Sequence, residues 1–413
     1  MKKDYTILVP SMLNGHFELI IAYMRTQGYT VELLTSQGSE IIDLGLRYVH
    51  NDTCYPALLV IGQFLHALRS GNYDPHKTAL IYFQTGGGCR ASNYISLLRK
   101  ALIKADLDFV PVISLSLSDL EEHPGFSLNL RQYLGLFDAI LYGDLLYDLV
   151  NQTKPYEVNP GDAVALQHSW IEDLGQALGS EGAIKMSRSR KKNYRRIVDD
   201  FAAIPKVKKD IVKVGIVGEI YVKFSPLGNN NLEQFLLDEG AEVVVPGLLD
   251  FFIYCIYNGV ADYKLYGRGF VKGFLNKIAY RFLCNKKREI IAAIEEEGSF
   301  KPPAPFEHVV YLNDEYISFG VKMGEGWLLP AEMLELADSG VNNIVCVQPF
   351  GCLPNQIVGK GMMRPIKSRN PDINIVAIDY DPSATKVNQE NRIKLMLATA
   401  RDNLKASKAS LAD

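Results

Sequence analysis

Short apolar runs recur along the chain. Glycine, proline or small polar residues bound each one, and a longer stretch with apolar positions every three to four residues usually follows. "YTILVPS" reads as a strand, residues 15 to 28 as a helix closing at Gly28, and "YTVELLTS" as a second strand. "TALIYFQTGGGCRASNYISLLRKALIKADL" repeats strand, glycine-rich turn and amphipathic helix, and "FVPVISLS" supplies the next strand. This alternation predicts an α/β lobe over residues 1–150. A second begins at "VKVGIVGEIYV", continues through a helix at 231–239 and "AEVVVPG", and ends with the strands in "NNIVCVQPFGCLPN" and "INIVAIDYDPSATK" ahead of a long terminal helix. The fold class is therefore α/β. Two Rossmann-like or flavodoxin-like lobes with mostly parallel sheets are joined by a helical, basic connector at 151–212, and the second lobe (213–413) carries a helical insertion at about 250–300. No sequence repeat links the lobes, only an architectural echo.

With 413 residues, 47% of them hydrophobic, the chain can bury large cores, and a net charge of −3 with pI 6.2 carries no general polyanion signature. "MKKDYTILVPSM" reads as a first strand rather than a signal peptide, and no apolar run reaches the ~18 to 20 residues that cross a bilayer, so the expectation is a cytoplasmic protein without a membrane partner. Six basic residues fall between Arg188 and Arg196. Aromatic interleaving there is limited to Tyr194, which favours a solvated helix face or a dock for an acidic partner over nucleic-acid binding.

Six cysteines are too sparse for a disulfide scaffold. Cys54 follows "HNDT", where Asn51, Asp52 or Thr53 can cap a helix, and precedes Pro56. Cys89 follows Gly86, Gly87 and Gly88, and Cys352 follows Gly351. Each stands where a strand or loop hands over to a helix, the sheet edge at which ligands collect. Helix dipoles and glycine-freed backbone N–H groups there predict a thiolate beside a bulky anionic group such as an iron–sulfur cluster. The plain alternative is that they are small buried hydrophobes, the reading that best suits Cys255, Cys284 and Cys346. Zinc finds neither a paired-cysteine knuckle nor a histidine pair at helical spacing. Arg90 is a candidate donor to the cofactor, and Glu219 and Tyr221, at the carboxyl end of "VGIVG", are candidates for proton handling. Asn229 to Asn231 suit either capping or ligand contact, and Asp379 and Asp381 suit capping.

"HNDTCYPALLVIGQFL", "QTGGGCRASNY", "GEIYVKFSPLGNNNLEQFLLDEGAEVVVPG", "VQPFGCLPNQIVGKGM" and "IDYDPSATKVNQENRIKLML" resemble the 2-hydroxyacyl-CoA dehydratase superfamily, closest to the domain fused behind, or encoded beside, acyl-CoA dehydratase activases. The resemblance implies a 4Fe-4S cluster, or in some members a double-cubane form, held between the lobes by Cys54, Cys89 and Cys352, with Gly87, Gly88, Arg90 and Gly351 around it. It also implies a low-potential electron from a separate ATP-dependent activator with its own iron–sulfur cluster. In the best-known members that electron reduces a thioester carbonyl and a neighbouring hydroxyl leaves; others reduce different small molecules. A homodimer or a related second subunit belongs to the same expectation. Gln356 stands where the family commonly has histidine, and "GKGMMRP" is not a phosphate loop, so any ATP-driven step falls to a partner. The alternative from another class is a non-catalytic two-lobed accessory protein binding a small ligand in its cleft.

Overall fold

The computed structural model describes residues 2, 4–50, 53–84, 88–116, 126–180, 182–267 and 269–412. The predicted strands assemble into two four-stranded sheets, parallel throughout. In the first, β1 (Thr6–Pro10), β2 (Thr30–Leu34), β3 (Thr78–Gln84) and β4 (Val112–Ser116) lie in the order β2-β1-β3-β4. In the second, β5 (Val212–Gly218), β6 (Ala241–Val244), β7 (Asn343–Pro349) and β8 (Asn374–Tyr380) lie in the order β6-β5-β7-β8. These are two α/β lobes of Rossmann or flavodoxin type, and the echo between them is one shared topology.

Strands covered by helices on both faces must be apolar on both. β7 accordingly buries Ile344 to Pro349 without interruption, with Cys346 paired between Val217 and Ala377. The chain changes direction across each sheet between β1 and β3 and between β5 and β7, which opens a crevice at the carboxyl ends of those strands. The lobes are not separate beads. A single apolar cluster runs from Leu58, Leu80 and Tyr94 of the first to Val214, Tyr221 and Val347 of the second.

Residues 151–212 do more than connect. The helix Leu130–Thr153 straddles the expected boundary at 150; it and Asp162–Ser180 pack on the helix Asn14–Thr26, and Ala183–Ala202 packs on both of them. This layer shares a second core with a hairpin of two helices, Leu248–Tyr266 and Phe270–Glu297, at the place of the expected insertion. The basic run is only partly solvated, which corrects the surface reading. Arg190 is buried and donates to Asp138 Oδ1 at 2.5 Å, with Glu289 at 3.4 Å, while Arg196 lies over the Trp170 ring. Burial pushes the Asp138 carboxyl above its ordinary range, and Arg190 opposes that shift.

Candidate functional site

All three cysteines stand immediately before a helical segment. Cys54, in extended conformation, precedes the helix Tyr55–Arg69 with Pro56 in its first turn. Cys89 precedes the short turn Arg90–Asn93 that leads into the helix Tyr94–Lys104. Cys352 precedes a helix that begins at Leu353, widens over Asn355–Gly359 and continues through Lys360–Arg369. Asn51, Asp52, Gly86 and Gly87 lie outside the described residues.

Gly88 and Gly351 share the same left-handed backbone angle, φ +73°. Glycine takes that angle without strain, and at Gly351 the missing side chain also matters for contact. A Cβ there would stand 3.0 Å from Cys54 Cα and Thr53 O, and 2.9 Å from Arg90 Nη1. The turn before Cys352 is thus pressed against the residue that carries the Cys54 thiol, with the Arg90 guanidinium over it. Tyr55 N donates to Phe350 O at 2.9 Å and fastens the same crossing. On the other side, a Cβ on Gly324 would lie 2.9 Å from the Pro354 ring and 3.9 Å from Cys89 Cβ. Segments from both lobes therefore meet around the three cysteines.

For Cys54 and Cys352 the surroundings oppose the expected thiolate. Burial pushes the Cys54 thiol up to about 11; the Tyr94 hydroxyl, 2.8 Å from its sulfur, partly offsets this, while Glu219 and Cys89 add to it. Cys352 is pushed well up as well, first by burial and then by Glu325 and Glu219, although Asn355 Nδ2 donates toward its sulfur at 3.5 Å. Desolvation and nearby carboxylates outweigh the helix ends, which act only over about one turn.

Glu219, one of the two residues proposed for proton handling, caps the helix Ile220–Phe224 by accepting from Val222 N at 2.9 Å. Its carboxyl is pushed up to about 8, by burial first and then by Glu325. Glu325 accepts from Ile220 N at 2.9 Å, and its carboxyl is raised by burial too. Lys223 is the buried countercharge for both, while its ammonium pairs with Glu332 at 2.9 Å. Tyr221 is part of the apolar core, and burial raises its phenol.

Sequence reasoning missed Glu325, which belongs to "VKMGEGW", a segment with neither a cysteine nor a strand beside it. The hairpin holds this loop in place. Tyr254 donates to Lys322 O at 3.0 Å and Gly324 O at 2.9 Å, and Trp327 Nε1 donates to Asn258 at 2.9 Å. Tyr94 and Asn355 lay inside quoted motifs, but nothing in their spacing marked them as neighbours of sulfur.

The remaining cysteines divide. Cys346 and Cys284 are buried as expected, whereas Cys255 is exposed, which corrects its reading as a buried hydrophobe. Asn229 is buried and bonds Val222 O, Lys223 O and Leu232 N, so it serves the backbone, and Asp381 caps Ser383 N at 2.7 Å. Among the described residues, no three His, Cys, Asp or Glu side chains gather closely enough to grip one metal ion. Thiolates of a cluster bond to separate irons, so they stand further apart than the ligands of a single ion. A cavity of about 90 Å³ lined by Asp148, Lys213, Glu242, Asp250, Lys287 and Glu335 contains none of the cysteines. In comparisons with known proteins, the chain matches no family model and no curated protein.

Proposed function

We propose that Cys54, Cys89 and Cys352 hold a 4Fe-4S cluster, and that the chain is the electron-accepting component of a dehydratase-like or reductase-like system acting on a CoA thioester or another small molecule. One observation carries the reading: the Gly351 turn lies against Cys54 Cα while Gly324 bridges Pro354 and the Cys89 side chain, so all three sulfur-bearing segments share one seam. The donor set fits the group. Three cysteines with no histidine or carboxylate ligand among them are the soft set that iron–sulfur clusters take, and Thr53 Oγ1 and Asn355 Oδ1 are buried beside them without a hydrogen-bond partner. When bound, such a cluster supplies one-electron reduction, and three thiolates for four irons leave one iron open to substrate.

The chain's own residues do the rest. Arg90 offers an exposed cation over the Gly351 turn, suited to a substrate carboxylate or phosphate. Glu219 keeps its proton near neutral pH, so it can hand that proton to a departing hydroxyl once it is reached. The electron would come from a separate ATP-dependent partner, as the family resemblance implies. Protein purified anaerobically from iron-replete cells should be brown, with about four irons and four sulfides per chain, and Cys54→Ala, Cys89→Ala and Cys352→Ala should each lose most of them. Colourless, iron-free protein after anaerobic reconstitution defeats the reading, and the accessory small-ligand protein then takes its place.

A further inference from the structure

Between Tyr263 and Arg288 the sequence holds eight basic residues and no acidic one, in a chain whose net charge is −3. This stretch is the distal half of the helical hairpin, so the rest of the molecule is net acidic. Phe270, Val271, Phe274, Leu275, Ile278 and Phe282 are between 48% and 69% exposed. Their spacing by four residues sets them along one face of the helix Phe270–Glu297. Against its neighbour, Gly273 backs onto Tyr263, Asn276 lies against Gly259, and Phe270 meets the Tyr263 ring edge-on at 5.9 Å. Much of the apolar stripe's surface is left exposed, although Phe282 lies against Phe137, and Tyr263, Leu265 and Tyr266 extend it over the tip. Lys264, Lys272, Lys277 and Arg281 are exposed around it, and none meets a carboxylate at ion-pair distance among the described residues. Between the two helices a cavity of about 740 Å³ is lined by Tyr263, Phe270, Phe274 and Tyr280, with Lys277 and Arg281 among its walls.

We propose that this hairpin tip is a peripheral anchor for an anionic lipid surface, with the apolar stripe entering the headgroup boundary and the cations meeting lipid phosphates. A helix with a wide apolar face, basic flanks and no acid has the chemistry that lies in a membrane interface rather than spanning it. No helix among the described residues is long and apolar enough to cross a membrane. The charge pattern selects among occupants. A second copy would set cations against cations, with no acidic residue between 263 and 288 to answer them. A protein partner is the weaker fit, because protein interface cores are depleted in lysine and three of these four cations are lysines, whose stems lie along apolar surface while the ammonium reaches a headgroup. The acidic remainder of the chain is repelled by the same surface, so the tip leads the approach. The inference is independent of any cofactor.

The test is co-sedimentation of the full chain with phosphatidylcholine vesicles and with vesicles in which about a third of the lipid is phosphatidylglycerol, at low and high salt. Binding should require the anionic lipid and weaken with salt. Lys272→Ala/Lys277→Ala should lower partitioning roughly 30-fold at unchanged circular dichroism, at about a fivefold loss per cation removed. Phe270→Ser/Phe274→Ser, at positions 69% and 58% exposed, should also lose binding at unchanged circular dichroism. Equal binding to neutral vesicles, or none to anionic ones, overturns the proposal. So does a lipid-independent dimer that Phe270→Ser/Phe274→Ser dissociates, or retention by an acidic peptide in the absence of vesicle binding.

Discussion

Lys223→Met is the sharpest probe of the charge arrangement under the site. Lys223 and Glu332 are each 4% exposed at the side chain and lie 2.9 Å apart, and the same ammonium also offsets the charges of Glu219, Glu325 and Asp250. Removing one member of a buried pair costs about 3–5 kcal/mol, because the other is left charged in a poorly solvating interior. That cost must depend on pH. Burial already pushes the Glu332 carboxyl up to about 7, with Lys223 opposing the shift, and Glu219 up to about 8. Both folded values lie above the ordinary 4.5, so the folded chain holds more protons than the unfolded chain between 4.5 and those values. Stability is therefore fully present below about 4.5 and declines as pH rises through 7 to 8. Without Lys223 both carboxyls rise further and the decline steepens. At pH 5 they are protonated in the variant and the loss should be about 1 kcal/mol; at pH 8.5 it should reach the full 3–5 kcal/mol. Urea unfolding followed by tryptophan fluorescence measures this, since the buried Trp327 sits at the start of the helix that carries Glu332. Lys223→Met/Glu332→Leu should recover at least half of the loss at pH 8.5. Equal losses at the two pH values, or a double variant as unstable as the single, would refute the electrostatic reasoning.

Two further perturbations test how the seam is built. Gly351→Ala puts a Cβ 3.0 Å from Cys54 Cα at φ +73°; it should cost about 1–3 kcal/mol and lower the melting temperature accordingly. Tyr254→Phe removes the donor to Lys322 O and Gly324 O; it should cost about 1–2 kcal/mol and speed amide exchange across residues 321 to 327 while sparing the sheets.

The strands and the order of the elements were legible because parallel strands buried on both faces are written as uninterrupted apolar runs, as in "KVGIVG" and "NNIVCVQP". That each cysteine precedes a helix could also be read, from Pro56 after Cys54 and the glycines before Cys89 and Cys352. Three things could not. Arg190 reads as one more surface charge in a basic run, because its partners Asp138 and Glu289 lie 52 and 99 residues away. Glu325 is a lone acid in a glycine-rich loop until Tyr254 and Trp327 fix that loop against the hairpin. The upward push on the Cys54 and Cys352 thiols is not legible because a helix end is a local feature, whereas desolvation depends on how the two lobes close over the sulfur.

The shared topology explains why three cysteines meet without any short-range spacing motif. β3 and β7 hold the same place in their sheets, each beside the strand that opens its lobe. The segment leaving β3 ends in Gly88 and Cys89, and the segment leaving β7 ends in Gly351 and Cys352, with the same φ at both glycines. Two sulfurs therefore come from equivalent switch-point loops of two lobes whose cores are continuous. The third has no such counterpart: Cys54 comes from the start of a helix in the first lobe, and from the second lobe Glu219, at the end of β5, faces the group instead. The result is a group of sulfur-bearing segments that lies close enough to Glu219 to feel its charge. A fold that repeats its architecture but not its sequence can gather such a group from distant residues, since one turn at the carboxyl end of each third strand brings Cys89 and Cys352 toward the seam, and only Cys54 needs a separate helix start.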